Sequence, residues 1–133
     1  MMVCADILVV DDNPGDAMLL QEAFQDRCSA VCLRFARDGA EALRVLRRGA
    51  SMPDLIVLDI KMPGMDGLEF LRAVRDDPTL RNVTIIVLTG SDAPEDRRAA
   101  SQLGALDYFT KPIRLEGWMA LSLRLEKLAF TIN

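Results

Sequence analysis

A chain of 133 residues, half of them hydrophobic and 27% charged, is enough for one globular domain with a core that needs neither disulfides nor a structural metal. It contains no histidine, which excludes an imidazole base, histidine metal ligands and a phosphohistidine carried by the chain itself. The net charge of −4 comes from residues 1–67, where eleven acids face seven bases, so there is no clustered basic face to track nucleic-acid phosphates.

The opening segment lacks a positive leader, and its short apolar run meets Asp11 and Asp12. It therefore reads as a first strand, Ile7–Val10, and not as a signal peptide or membrane span. A helix-period stretch follows at Ala17–Asp26, with Pro14 suited to a first turn after Asn13. A strand at Val31–Phe35 and a helix at Gly39–Arg48 come next, then the strand Leu55–Leu58 and the helix Leu68–Arg75, for which Asp66 is the cap. The last two units are the strand Val83–Leu88 with the helix Glu95–Leu103, and the strand Leu106–Phe109 with the helix Leu115–Leu128. Asp92 is expected to cap the fourth helix ahead of Ala93 and Pro94, and Gly104 to close it. Cys4, Cys28 and Cys32 are an odd number without C-x-x-C spacing and read as reduced, semi-buried residues of a cytoplasmic protein.

Strands apolar on both faces that alternate with helices imply an open, doubly wound α/β parallel sheet covered on each side. In such sheets the site lies at the C-terminal strand edge. That edge carries Asp11 and Asp12 after strand one, Asp59 after strand three, Thr89 after strand four and Lys111 after strand five. Clustered carboxylates repel, so the arrangement calls for a hard divalent cation, and Mg²⁺ with open positions suits it best. Mg²⁺, a lysine and a hydroxyl around a carboxylate nucleophile are the parts of phosphoryl transfer, with Asp59 the best-placed nucleophile.

Four stretches, VVDDNPGD at 9–16, LIVLDIKMPGMDGLEFL at 55–71, IIVLTGSD at 85–92 and GALDYFTKPI at 104–113, together resemble the receiver domain of two-component response regulators over essentially the whole chain. Single-domain receivers paired with phytochrome-type kinases are the similar subgroup. The resemblance implies a flavodoxin-like sheet of five strands in the order 2-1-3-4-5 with five helices, as one domain over residues 1–133. Asp59 would take a phosphoryl group from the phosphohistidine of a sensor histidine kinase. Asp12 and Asp59 would ligate Mg²⁺, joined by the backbone carbonyl of Lys61, with Asp11 acting mostly through water. Lys111 would pair with the phosphoryl oxygens, Thr89 would swing inward, and Tyr108 would pass from exposed to buried. The family's usual cis Lys-Pro bond makes Lys111–Pro112 a candidate for that isomer. Lys61 and Ser91 depart from the commonest family residues and bear on how readily water attacks the acyl phosphate.

Residues after Pro112 suffice only for a last helix, so the expected output is in trans, through a downstream protein and without an output domain. Along Leu115–Phe130 the apolar residues spread well beyond the stripe of about 100° that packs one face. Trp118, Leu121, Leu125 and Leu128 form a seam that Met119, Leu123 and Phe130 widen, and the surplus reads as a homodimer or partner interface. Two rivals stand beside this reading. A Mg²⁺-dependent phosphatase of the haloacid-dehalogenase kind would carry an acid at position 61 and a cap domain. A silent receiver-like module would normally have lost a site residue. The receiver reading makes the chain no enzyme toward external substrates, and places it in the cytoplasm away from nucleic acid and membrane.

Overall fold

Each apolar run becomes a strand: β1 Ala5–Val10, β2 Val31–Ala36, β3 Leu55–Leu58, β4 Ile85–Thr89 and β5 Asp107–Thr110. The helices between them are α1 Pro14–Asp26, α2 Gly39–Arg47, α3 Gly67–Asp76, α4 Pro94–Gln102 and α5 Leu115–Thr131. The computed structural model describes residues 4–26, 30–48 and 52–131, and Cys28 lies outside them. The strands form one parallel sheet in the order β2-β1-β3-β4-β5, the flavodoxin-like arrangement.

Alternation along each central strand splits the core in two. Leu8, Val10, Ile56, Leu58, Ile85 and Val87 pack with Leu43, Phe70 and Leu71 of α2 and α3. Ile7, Val9, Leu55, Val57, Ile86 and Leu88 pack with Leu20, Phe24, Trp118 and Leu125 of α1 and α5. Each large side chain fully buried this way contributes roughly 1.5–3 kcal/mol relative to exposure. These two layers hold the strand tips in fixed relation, and so set the site.

Local chemistry sets the helix starts. Asp66 caps α3 and forms a reciprocal capping box with Glu69. Asp38 caps α2 by accepting from the Glu41 amide at 2.8 Å. The expected Asp92 cap of α4 is corrected. Pro94 takes the first helical turn, so Ala93 occupies the cap position without a side-chain bond, and Asp92 instead pairs with Arg97 at 3.3 Å. Gly104, at φ +88°, closes that helix as expected. β4 starts two residues later than the apolar run predicts, because the Val83 amide donates to Leu80 O in a turn.

Three further expectations are revised. Cys4 and Cys32 are exposed and bonded to each other as a disulfide, their Cα atoms 6.5 Å apart. The parallel pairing of Ala5 with Val31 and Asp6 with Cys32 brings them together, which sequence spacing could not show. The Lys111–Pro112 bond is trans, the isomer a tertiary amide already favours by about 0.5–1 kcal/mol. In α5, Trp118, Leu121 and Leu125 are buried, while Leu128 and Phe130 pack partly on the same layer. The surplus apolar surface thus narrows chiefly to Leu115 and Leu123, each more than half exposed. Among the described residues no helix is long and apolar enough to cross a membrane.

Candidate functional site

β1, β3, β4 and β5 end side by side, and their tips deliver the charged groups. The Asp59 amide donates to Val10 O at 2.9 Å and the Lys111 amide to Thr89 O at 2.8 Å, so strand pairing continues into the site residues themselves. Behind Asp59, α3 begins on backbone: the Gly67 amide donates to Ile60 O at 2.9 Å. A Cβ at Gly67 would collide with Asp59 O, so only glycine lets α3 brace the acceptor strand this closely.

Asp59 keeps only 5% of its surface exposed, between the buried Leu58 and Ile60 at the tip of β3. Its Oδ1 accepts from the Lys61 amide at 3.2 Å and its Oδ2 from the Lys111 ammonium at 2.9 Å. The Lys111 ammonium also lies 3.0 Å from Asp11 and 2.7 Å from Asp16. Carboxylate oxygens of Asp11, Asp12 and Asp59 lie within 4.8 Å of one another, a spacing that suits a hard cation with oxygen ligands. Asp12, Asp16, Asp59 and Lys111 border a cleft of about 520 Å³ that Lys61 and Ser91, among others, also line.

Electrostatics follows from this crowding. Burial, the largest influence, pushes the Asp11 carboxyl up to about 6, against the Asn13 amide and the Lys111 ammonium, which favour its charged form. For Lys111, burial acts to lower the ammonium, but hydrogen bonds to Asp16, Asp59 and Asp11 outweigh it and carry the group above its ordinary range. The lysine is therefore charged across the physiological range and available to an anion.

Asp11, Asp12, Asp59 and Lys111, all picked out from sequence, meet at one rim. Lys61 reaches it through its backbone amide, while its ammonium turns to Asp96 at 3.4 Å. Thr89 sits at the tip of β4 but is fully buried; its Oγ1 accepts from the Ser91 amide at 3.4 Å, and Gly90 and Ser91 line the cleft in its place. Tyr108 is already buried, its hydroxyl donating to Ser91 O at 2.8 Å under the Arg97 guanidinium, 4.4 Å from the ring centre. The structure thus holds Tyr108 in the inward position.

Asp16 and Asp96 were not picked out by the sequence reading. Asp16 lies in the first turn of α1, where an acid is ordinary on helix-dipole grounds alone. Asn13 Oδ1 accepts from the Gly15 and Asp16 amides at 2.9 and 3.2 Å and so aims that turn at the rim. Asp96 accepts from the Ser91 hydroxyl at 2.6 Å, which, ahead of Lys61, holds its carboxyl below the usual range.

Comparison with known proteins agrees with the fold. Residues 7–121 match the response regulator receiver domain. The response regulator PleD of Caulobacter vibrioides is 40% identical over 109 residues, covering 82% of this chain but 23% of PleD. The phosphorylated cyanobacterial phytochrome response regulator RcpA superposes with a TM-score of 0.89 at 32% identity, covering 98% of this chain and 97% of that one. The Mn²⁺-bound response regulator Rcp1 gives 0.83 at 30% identity, with 92% of each chain covered.

Proposed function

This chain belongs to the response regulator receiver domain family, and on that premise we propose that Asp59 is its phosphoacceptor, loaded from the phosphohistidine of a sensor histidine kinase. The observation that carries the reading is a buried Asp59 carboxylate with a lysine ammonium at 2.9 Å and two further carboxylates within cation-binding distance.

A carboxylate oxygen of Asp59 attacks phosphorus as the phosphorus–nitrogen bond to the donor imidazole breaks, leaving an acyl phosphate. Lys111 neutralises the phosphoryl oxygens as charge builds on them, a contribution that needs positioning and little reorganisation. Asp12 and Asp59, with the Lys61 carbonyl, would hold Mg²⁺, and Asp11 would act through bound water. Bound Mg²⁺ supplies the remaining charge neutralisation. Thr89, whose hydroxyl now rests against the Ser91 amide, would turn to the new dianion. Because Tyr108 OH is bonded to Ser91 O, two residues from Thr89, movement of one loop is felt by both. The α4 and β5 surface is therefore the readout, acting on a downstream protein in trans.

Incubation with acetyl phosphate and Mg²⁺ followed by intact-mass measurement tests this. A single adduct in the wild type that Asp59→Asn abolishes is expected; no adduct, or multiple turnover of phosphoesters, contradicts the proposal. A homodimer through Leu115 and Leu123 of α5 belongs to the same reading. Sedimentation as a monomer at high concentration, with and without a phosphoryl mimic, would remove it.

A further inference from the structure

Of the three carboxylates on Lys111, the nearest is the one that the cation-binding trio does not include. Asp16 lies 2.7 Å from the ammonium, while Asp59 at 2.9 Å and Asp11 at 3.0 Å also belong to the trio with Asp12. Asp16 reaches the lysine from α1, whose first turn is pinned by the Asn13 side chain, and keeps 22% of its side chain exposed. Being largely sheltered, the contact is electrostatically stronger than a surface pair.

We propose that Asp16 is a positioning residue that acts through Lys111 as its charge counterweight, favouring entry of the divalent cation and opposing arrival of the phosphoryl group. This rests on the phosphoacceptor reading above. Without Asp16, the ammonium would lean only on carboxylates that the cation also needs, so metal entry would leave a positive charge beside a positive charge. With Asp16, Lys111 stays neutralised by a group outside the trio while Asp11 and Asp59 turn to the cation. The same carboxylate works the other way on an anion. A phosphoryl group on Asp59 must draw Lys111 from Asp16, and the acyl phosphate carries two negative charges where the carboxylate carried one, close to the Asp16 charge already there. The structure therefore assigns Asp16 opposite effects on the two ligands, which loss of local structure would not produce.

The test compares wild type, Asp16→Asn and Asp16→Glu, using Mg²⁺ alone in calorimetric titration and acetyl phosphate at saturating Mg²⁺ followed by intact mass. Asp16→Asn should weaken Mg²⁺ binding by about tenfold and raise the phosphorylation rate at saturating Mg²⁺ by about threefold or more. Asp16→Glu, which keeps the charge, should stay near wild type in both. Unchanged Mg²⁺ affinity in Asp16→Asn, a phosphorylation rate that fails to rise, or an Asp16→Glu that behaves like Asp16→Asn overturns the proposal. A wild type that gains no adduct sinks the phosphoacceptor reading instead, and the Mg²⁺ titration still decides whether Asp16 supports the cation.

Discussion

Lys111 and Lys61 line the same cleft in contrasting ways. The Lys111 side chain is 15% exposed and meets three carboxylates between 2.7 and 3.0 Å, whereas Lys61 is 67% exposed and meets one oxygen of Asp96 at 3.4 Å. Lys111 projects from the tip of a sheet strand into a space from which its neighbours exclude most water. Lys61 projects from a loop with water on most sides. A charge that has lost its hydration needs fixed partners, while an exposed one gains little from any. Proximity to the phosphoacceptor in sequence, two residues for Lys61 against fifty-two for Lys111, is thus a poor guide to which cation serves it.

The sharpest way to break this comparison is the phosphorylation rate. Lys111→Ala should slow labelling by acetyl phosphate by about 100-fold or more, the scale of losing one preorganised electrostatic contact. Lys61→Ala should stay within about threefold, and equal losses would place both ammonium groups on the phosphoryl path.

Stability gives the next largest contrast. Lys111→Met leaves three carboxylates facing one another, and in chelator at pH 7 should cost about 2–3 kcal/mol by urea denaturation, less than for a fully buried pair because some water reaches the site. Added Mg²⁺ should restore more of that loss in the variant than it adds to wild type. Lys61→Met should change stability by no more than about 0.5 kcal/mol.

pH sharpens the view from the carboxylate side. Asp11, with its side chain only 6% exposed, is carried from 3.8 to about 6, so between those values the folded state holds a proton that the unfolded state has released. Its contribution to stability is therefore full below about pH 4 and is lost as pH rises through about 6. In chelator, Asp11→Asn should be more stable than wild type at pH 7 by roughly 1–3 kcal/mol, with the difference shrinking toward pH 4. Thermal unfolding across pH 4–8 checks this, and a difference that grows on acidification contradicts it.

The smallest effect falls at Asp96. Asp96→Asn replaces the charge-assisted Ser91 hydroxyl bond by a neutral one and removes an exposed ion pair, and should cost about 1 kcal/mol. A larger loss in denaturant titration would make the loops joined by Ser91 and Asp96 more rigid than the exposure of Lys61 suggests.

Most of the fold was legible because its signals are local. LIVL at Leu55–Leu58 is too short and too apolar to be anything but a strand buried on both faces, and Asp66 with Glu69 announces its helix within four residues. Alternation of strand and helix then implies a parallel sheet, and a parallel sheet puts Asp11, Asp12, Asp59, Thr89 and Lys111 on one edge. Fainter signals misled by small margins. Asp92 resembles a cap, but Pro94 moves the cap position to Ala93.

What the amino-acid order by itself determined was the set of elements, their succession and the edge on which the charged groups stand, since hydrophobic period and turn chemistry act over a few residues. Tertiary structure alone decided the partners: Asp16 on Lys111 and Tyr108 against Ser91 at that edge, Cys4 on Cys32 at the opposite end of the sheet, and the share of α5 that the sheet covers. Each of these depends on strand register and on how closely a helix seats on the sheet. Those are settled by packing between residues distant in the chain, about which a local stretch of sequence carries no information.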